Sequence, residues 1–473
     1  MASDPHSVAL ALYTLQFYSF VRRAFMALNP GDTFSGEKYV RAMAYVLERV
    51  YAGECKRLVI MLPPRHLKSI TTSVAFPAWV LGRDPTKRIV CASYSTSLST
   101  SLSIQSRELM QSPFYRETFP KTRLSKLKNA SEEFLTTRNG GRIATSVGGT
   151  LTGRGGDILI IDDPMKAEDA HSEVMRDNVH EWYKGTLSSR LDDPKNGAIV
   201  VVAQRLHSDD LIGRLLEADD WEVLRLPIVS EEEKIYPLNE GLNWKRANNH
   251  LLDESRIGLD ELERIKRELG TSAFEAQYML RPGLPGGNLI RKEWFGHYDW
   301  APHPKHYEAT LQSWDVAAVP GETNDWCVCT TWGVLGQHVD LLEVHRAQHI
   351  MPDLIRAAKS LIAKWQPSLV VVEKATSGIG LGQALRDAGI PGVKPLTPKR
   401  GKVERMSLQS PKLERGEVRL PTAAPWLKAF FDEVLAFPNG THDDQVDTMS
   451  QILHALDCRP REISHVGRYK RGR

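Results

Sequence analysis

Two segments of the chain carry residues whose types and order could hold a nucleoside triphosphate. In the first, an apolar run over residues 57–62 leads into a Pro-rich turn that ends in Lys68 and Ser69. A lysine followed by a hydroxyl residue at the start of a helix can contact the β- and γ-phosphates and a Mg²⁺ ion. The residues predicted to contact the nucleotide here are Pro64, Arg65, His66, Leu67, Lys68 and Ser69.

This turn lacks the glycines that usually bring backbone N–H groups close to the phosphates. Counting back from Lys68, Leu62 stands in the first glycine position and Leu67 in the position just before the lysine. On spacing alone, a Pro-rich turn with a surface lysine explains the segment better than a nucleotide site does. The case for a nucleotide site therefore depends on a partner segment.

The second segment supplies that partner. Asp162 and Asp163 follow an aliphatic run at residues 158–161, and a buried parallel strand places the residues after it at the edge of the sheet where ligands bind. We predict that Asp162 holds Mg²⁺ through water and that Asp163 orients the attacking water. The alternative is a helix N-cap before Pro164.

Two polar residues near these segments fit the same chemistry. Arg154 lies in a glycine-dense loop at residues 148–156, from which it could stabilise a transferring phosphoryl group in its own or a neighbouring subunit. A solvated loop arginine is an equally good interpretation of Arg154 alone. Gln204 follows an aliphatic run at residues 198–203 and could sense the γ-phosphate.

A separate set of acids lies in the C-terminal half. Asp315 and Glu373 each end a strand-like run, and Asp443 and Asp444 open the last helical segment, with Asp447 on the same helix face. Converging carboxylates can bind paired Mg²⁺ or Mn²⁺ ions, which activate water and stabilise the leaving oxygen of a phosphodiester. We predict ligands from Asp315, Glu373 and either Asp443 or Asp444, and the sequence leaves that last choice open. Each acid alone is equally explained as a turn residue or a helix N-cap.

The elements that would position these residues are those of an α/β protein. Continuous apolar runs that alternate with helical segments indicate a parallel sheet covered on both faces. In the N-terminal half these runs lie at residues 57–62, 88–93, 158–161 and 198–203. In the C-terminal half, three short β-like runs precede a helical stretch at residues 353–365 and a strand at residues 369–373.

The order of these motifs resembles that of one protein family. Together, residues 63–69, 153–155, 160–164 and 204–211 resemble the large subunit of tailed-bacteriophage terminases, and the resemblance extends over about residues 35 to 455. In the C-terminal half, acids after the first and fourth strands resemble the ribonuclease H fold, which that family joins to its ATPase.

The resemblance implies a fold class, cofactors and roles. It implies a P-loop ATPase domain with a mostly parallel sheet and an RNase H-like mixed α/β nuclease domain, with ATP and Mg²⁺ as cofactors and Mg²⁺ or Mn²⁺ at the nuclease site. It adds Arg65 as a second candidate, beside Arg154, for stabilising charge in the transition state. It also implies Asp325 and Asp447 as accessory acids.

The resemblance further implies partners and an activity. The activity is ATP-driven packaging of double-stranded DNA with endonucleolytic cutting of concatemers. The implied partners are a small terminase subunit, a portal protein and further copies of the chain in a ring on the procapsid. The predicted organisation is an ATPase domain (1–230), a subdomain or linker (231–300), a nuclease domain (301–457) and a basic tail (458–473).

Composition agrees with a folded, water-soluble enzyme. Of 473 residues, 41% are hydrophobic and 25% charged, which is ordinary for globular domains. No apolar run approaches the length of a membrane span and the N-terminus lacks a leader pattern, so we expect the cytoplasm. The resemblance implies that this is the host cytoplasm and that the protein is not a stable part of the mature virion. The five scattered cysteines indicate neither a zinc site nor a disulfide framework.

Two other functions remain open on the sequence. One is an RNase H-like recombinase or junction nuclease whose N-terminal domain binds nucleotide only structurally. The other is a non-catalytic nucleic-acid-binding module with degenerate sites, as in a prophage remnant. ATP hydrolysis distinguishes the motor from both.

Overall fold

The computed structural model describes residues 4–151, 153–217, 220–283, 289–300, 302–316, 326–374, 376–398 and 400–458. The chain divides into two compact units, Met1–Gly283 and Leu284–Arg473. Residues 284–288 of the predicted subdomain or linker (231–300) and residues 459–473 of the predicted basic tail lie outside the described residues.

The first unit surrounds a large sheet with helices. Its helices are α1 (Pro5–Leu15), α2 (Phe17–Leu28), α3 (Glu37–Tyr51), α4 (Phe76–Arg83), α5 (Thr96–Gln111), α6 (Pro113–Thr118), α7 (Glu173–Trp182), α8 (Leu211–Leu216), α9 (Leu259–Leu269) and α10 (Thr271–Gln277). Its strands are β1 (Arg57–Met61), β2 (Arg88–Ser93), β3 (Leu124–Asn129), β4 (Glu133–Thr136), β5 (Gly141–Ser146), β6 (Ile158–Asp162), β7 (Ala198–Ala203), β8 (Glu222–Arg225), β9 (Lys234–Asn239) and β10 (Leu242–Arg246).

The main sheet has eight strands in the order β3-β4-β5-β2-β6-β7-β1-β8. All neighbours from β5 to β8 are parallel, whereas β3 and β4 pair antiparallel at one edge. Strands β6 and β7 are buried along their whole length, which explains their unbroken aliphatic sequences. The parallel register brings the ends of β1, β6 and β7 to one edge of the sheet. The predicted α/β class with a mostly parallel sheet is confirmed.

The segment that follows the main sheet is more ordered than its charged sequence indicates. Strands β9 and β10 form an antiparallel hairpin, and α9 and α10 follow it. Tyr236 and Trp244 of the hairpin are buried in the same core as α3 and β1. The part of the predicted linker region up to Gly283 therefore packs onto the first unit.

The second unit is a mixed sheet between two helical layers. Its strands are β11 (Gly296–Tyr298), β12 (Ala309–Asp315), β13 (Cys327–Leu335), β14 (His338–Ala347), β15 (Leu369–Glu373), β16 (Val393–Leu396) and β17 (Val418–Pro421). Its helices are α11 (Met351–Trp365), α12 (Thr376–Asp387), α13 (Lys402–Glu414), α14 (Leu427–Val434) and α15 (Asp444–Asp457).

The strand order of this sheet is β11-β17-β14-β13-β12-β15-β16. β12, β13 and β14 form an antiparallel meander, and β15 pairs parallel with β12, as the sequence predicts. Helices α13, α14 and α15 pack on one face, and α11 and α12 on the other. Because side chains alternate along a strand, Ser313 and Asp315 of β12 face α15 while Trp314 faces α11.

No helix within the described ranges is both long enough and apolar enough to cross a lipid bilayer.

Candidate active sites

The phosphate-loop residues lie between the end of β1 and a helix that begins at Lys68. Lys68 is buried, with 6% of its surface exposed, and its Nζ contacts two residues that follow the central strands. It donates to Gln204 Oε1 at 2.6 Å and pairs with Asp163 Oδ1 at 2.8 Å. The alternative of a surface lysine after a Pro-rich turn is therefore wrong, because Lys68 is buried.

Ser69 and Asp162 meet at the same edge of the sheet. Ser69 Oγ donates to Asp162 Oδ1 at 3.1 Å, and Ser73 Oγ donates to Asp162 Oδ2 at 2.7 Å. Burial, followed by repulsion from Asp163, raises the pKa of Asp162 to about 6. A nearby divalent cation would favour the ionised carboxylate, so this pair suits a hydroxyl-and-carboxylate Mg²⁺ site.

Asp163 does not cap a helix. The next helical turn begins only at Ala167 and has Lys166 before it. The Asp163 backbone is left-handed (φ 47°), and its side chain pairs with Lys68 instead. The N-cap alternative for this residue is therefore wrong.

The backbone of the turn at residues 63–67 bends sharply without glycines. Arg65 and Leu67 both adopt left-handed conformations, with φ of 64° and 57°. Left-handed residues within a tight turn form concave nests that bind anions. His66 is buried, and its Nδ1 lies 2.8 Å from the Pro64 carbonyl oxygen. Burial lowers the pKa of His66 to about 4, so its ring is neutral.

No pattern in the sequence predicts a role for Arg256, which precedes α9. Its guanidinium donates to the Arg65 carbonyl oxygen at 2.9 Å and to Ser35 Oγ at 3.0 Å. Arg256 therefore stabilises the left-handed turn. It lies in a segment whose sequence is charged and aperiodic, so no local pattern predicts this contact.

Arg154 is not part of this cluster. Its guanidinium lies 3.3 Å from Glu133 on β4, and 48% of its side-chain surface is exposed. β4 is three strand positions from β6, roughly 14 Å at the usual strand spacing. Arg65 is exposed at the turn itself. Residue 152 of the glycine-dense loop lies outside the described residues.

Three acids of the second unit converge on one point. Asp315, Glu373 and Asp447 each offer a carboxylate oxygen, and these oxygens lie within 4.8 Å of one another. Asp315 and Glu373 end the adjacent parallel strands β12 and β15, and Asp447 extends from the first turn of α15. An all-oxygen set of this kind suits Mg²⁺ or Mn²⁺ better than Zn²⁺.

Asp443 and Asp444 lie beside this cluster rather than in it. Asp443 occupies the N-cap of α15, and its Oδ1 is 2.6 Å from Lys402 Nζ. Asp444 adds negative charge near Asp315 but does not belong to the group of three. Asp447, predicted only as an accessory acid, is instead one of the three members of the cluster. Asp325, predicted beside it, lies outside the described residues.

Polar residues hold the acids in place. Gln451, one turn after Asp447, donates to Glu373 and accepts a hydrogen bond from Ser313 Oγ at 2.6 Å. From α13, Arg405 donates to Asp447 Oδ1 at 2.7 Å, and Lys402 Nζ lies 2.9 Å from Asp447 Oδ2. Gln451, Lys402 and Arg405 could not be predicted from the sequence, because they come together only when α13 packs against α15.

Burial of the acid cluster raises the pKa values of two of its three carboxyl groups. Burial, with the charges of Glu373 and Asp447, raises the pKa of Asp315 to about 8. Burial also raises the pKa of Asp447 to about 6, although Arg405 and Lys402 oppose this shift. A cluster that is costly to ionise without a cation fits a site that binds divalent cations.

Two protein-family models together match most of the chain. A family model described as terminase large subunit, T4likevirus-type, N-terminal, matches residues 59–297. A second, described as terminase RNaseH-like domain, matches residues 312–456. No curated protein sequence matches the chain.

Several solved structures are similar to the chain. The large terminase of a thermophilic bacteriophage, in complex with ADP, is 11% identical, with a TM-score of 0.47, covering 87% of this chain and 99% of its own. The large terminase of bacteriophage HK97 is 10% identical, with a TM-score of 0.36 and coverage of 93% and 99%. The large terminase nuclease of the thermophilic phage G20c with bound magnesium is 17% identical, with a TM-score of 0.29 and coverage of 36% and 98%.

Proposed function

The chain belongs to the family of terminase large subunits, and from that membership we propose that it packages double-stranded viral DNA into procapsids by ATP hydrolysis and cuts concatemeric DNA. The observation that supports this proposal most strongly is the presence of two separate clusters in one chain. Lys68 meets Asp163 and Gln204 in the first unit. The acids Asp315, Glu373 and Asp447 meet in the second.

In the first unit, the chain's own residues would bind and orient ATP. Lys68 releases Asp163 and Gln204 to neutralise the β- and γ-phosphates, which leaves Asp163 to orient the attacking water and Gln204 to contact the γ-phosphate. Ser69 and Asp162 would hold Mg²⁺, which neutralises phosphate charge when bound. Either Arg65 or Arg154 would stabilise the transition-state charge, Arg65 from its own turn and Arg154 in a neighbouring subunit.

In the second unit, we propose Asp315, Glu373 and Asp447 as the ligands of Mg²⁺ or Mn²⁺, with Asp444 as an outer acid. Bound metal ions activate water and stabilise the leaving oxygen of a phosphodiester. Gln451 orients Glu373, and Arg405 orients Asp447, through the hydrogen bonds described above. Asp443 would act only through Lys402.

The partners of this activity follow from the same proposal. They are double-stranded DNA, a small terminase subunit, a portal protein and further copies of the chain in a ring on the procapsid, in the cytoplasm of the host cell. We further propose that the chain leaves the assembled virion.

A pair of aspartate substitutions on α15 tests the nuclease proposal. Asp447→Asn should reduce Mg²⁺- or Mn²⁺-dependent plasmid cutting by about 100-fold or more, because even outer-shell changes at metal sites cost about 10- to 100-fold. Asp443→Asn, the matched control, loses only a partly exposed ion pair, so its effect should stay within about fivefold.

The result that overturns the ligand assignment is the reverse order of these two variants. Cutting by the wild-type protein that persists in EDTA would refute a metal-dependent nuclease altogether.

A further inference from the structure

Arg346 and Trp326 lie beside the acid cluster on the same face of the sheet. In the register of the meander, Asp315 of β12 pairs with Val328 of β13, and Val328 pairs with Arg346 of β14. Residues directly opposite one another across strands share a face, so Arg346 is two strand positions from Asp315, about 10 Å away. Trp326 immediately precedes β13.

The Arg346 guanidinium is oriented but makes no hydrogen bond within the described residues. It lies over the Trp326 ring at 4.6 Å from the ring centroid. Its Nε is buried and has no hydrogen-bond partner there. Among the described residues, Glu433 is the carboxylate that lies within 4 Å of it, at 3.8 Å, which is beyond hydrogen-bond distance. The side chain is 22% exposed, so a ligand can reach its outer edge.

Glu433 is already engaged elsewhere, which explains the long distance. Its two oxygens accept hydrogen bonds from the backbone N–H and the side-chain amide of Gln445, both at 2.6 Å. Glu433 therefore anchors the start of α15. It balances the Arg346 charge without occupying the guanidinium donors.

A planar guanidinium that is stacked on an aromatic ring, and whose donors make no hydrogen bond to any described residue, is suited to bind a phosphate. Arg405 on the other flank differs, because it donates to Asp447 and its side chain is only 13% exposed, which leaves its other nitrogens buried. Of these two flanking arginines, Arg346 is therefore the one that is prepared for an external anion.

We propose that Arg346, supported by Trp326, binds a backbone phosphate of the DNA strand that the acid cluster cuts. This inference rests on the proposed nuclease function and adds a binding site to it. A distance of about 10 Å from Asp315 places this phosphate close to the scissile one but not at it.

The structural alternative is that Arg346 only helps to hold Glu433 and the start of α15. The two roles differ in their response to salt. Each phosphate contact adds about 0.9 to the slope of log affinity against log salt concentration, whereas a purely internal contact adds nothing.

The experiment measures binding of a fluorescent 20-base-pair duplex by the full chain in EDTA over a series of KCl concentrations. Arg346→Gln should weaken binding about tenfold and lower the salt slope by about 1. Arg346→Lys keeps the charge and should retain most of the slope. The matched control is Arg356→Gln on α11, which packs on the opposite face of the sheet, and it should bind like wild type.

Trp326 gives a second readout. DNA should quench part of the tryptophan fluorescence of the wild type, and Trp326→Phe should abolish that part of the quenching. Weaker binding by Arg346→Gln at an unchanged slope assigns Arg346 the internal role and overturns the inference, as does unchanged binding. If the wild type binds this duplex and cuts plasmid with Mg²⁺ or Mn²⁺, such a result leaves the nuclease intact. A wild type that neither binds nor cuts contradicts the proposed function itself.

Discussion

At the scale of single residues, the nuclease cluster depends on where α15 begins. Asp443, Asp444 and Asp447 share a helix face in the sequence, but Asp443 is the N-cap and its backbone is not helical. Only Asp447, one turn further on, extends toward the ends of β12 and β15. Sequence could predict the face but not the residue, because a shift of one position at a helix start changes which acid faces the sheet.

The raised pKa values predict how pH affects the second unit without metal. Burial in the folded chain raises the pKa of Asp315 to about 8 and that of Asp447 to about 6, whereas an unfolded chain leaves both near their ordinary values. The folded state therefore holds more protons between about pH 4 and 8, so the free energy of unfolding should fall as pH rises through this window. Denaturant unfolding of the metal-free protein at pH 5 and pH 8 measures this change.

Two comparisons check the origin of this effect. In Asp315→Asn the free energy of unfolding should depend much less on pH. Mg²⁺ should raise the melting temperature more at pH 8 than at pH 6, because metal and protons compete for the carboxylates. A metal-free second unit that becomes more stable toward pH 8 would contradict the account.

At the scale of elements, the sequence predicted best what is buried on both faces. The predicted strands at residues 88–93, 198–203 and 369–373 coincide with β2, β7 and β15. The edge strand β3 was missed because most of its residues are exposed and polar. The β9–β10 hairpin was missed because it buries few residues along its length. Such strands form by pairing with neighbours, which a local pattern does not reveal.

The turn between β1 and its helix provides a test at this scale. Arg65 is exposed and left-handed, a conformation that costs most residues about 1–2 kcal/mol. Arg65→Gly should therefore be more stable than Arg65→Ala by about 0.5–1 kcal/mol, after the greater freedom of glycine in the unfolded chain is subtracted. Urea unfolding of the two variants measures the difference, and an alanine variant that is the more stable one would refute the strained turn.

At the scale of the whole molecule, the position of Arg154 leads us to propose that ATP hydrolysis requires a neighbouring copy of the chain. Its guanidinium contacts Glu133 on β4, whereas the phosphate-loop cluster lies at the ends of β1, β6 and β7. If Arg154 acts on phosphates, it reaches those of a neighbouring copy. The sequence predicts Arg154 and its chemistry. Only the strand order shows that Arg154 lies away from the phosphate loop of its own chain.

Mixing two inactive variants tests this idea. Lys68→Ala retains Arg154, and Arg154→Ala retains the phosphate loop, so mixed rings should recover a part of the DNA-stimulated ATP hydrolysis that each variant lacks alone. Arg65→Ala mixed with Lys68→Ala serves as the control, because Arg65 belongs to the same turn as Lys68. The control mixture should not recover hydrolysis. No recovery in either mixture, with Arg65→Ala inactive alone and Arg154→Ala active alone, would assign the role to Arg65.

The central claim is that one chain contains two independent active sites, one that hydrolyses ATP and one that cuts DNA. Its most direct test measures DNA-stimulated ATP hydrolysis and Mg²⁺- or Mn²⁺-dependent plasmid cutting side by side in wild type, Lys68→Ala and Glu373→Ala. We predict that Lys68→Ala loses hydrolysis and still cuts, and that Glu373→Ala stops cutting and still hydrolyses ATP. Wild-type protein without ATPase activity under any DNA or partner condition, or loss of both activities in each variant, would contradict the account.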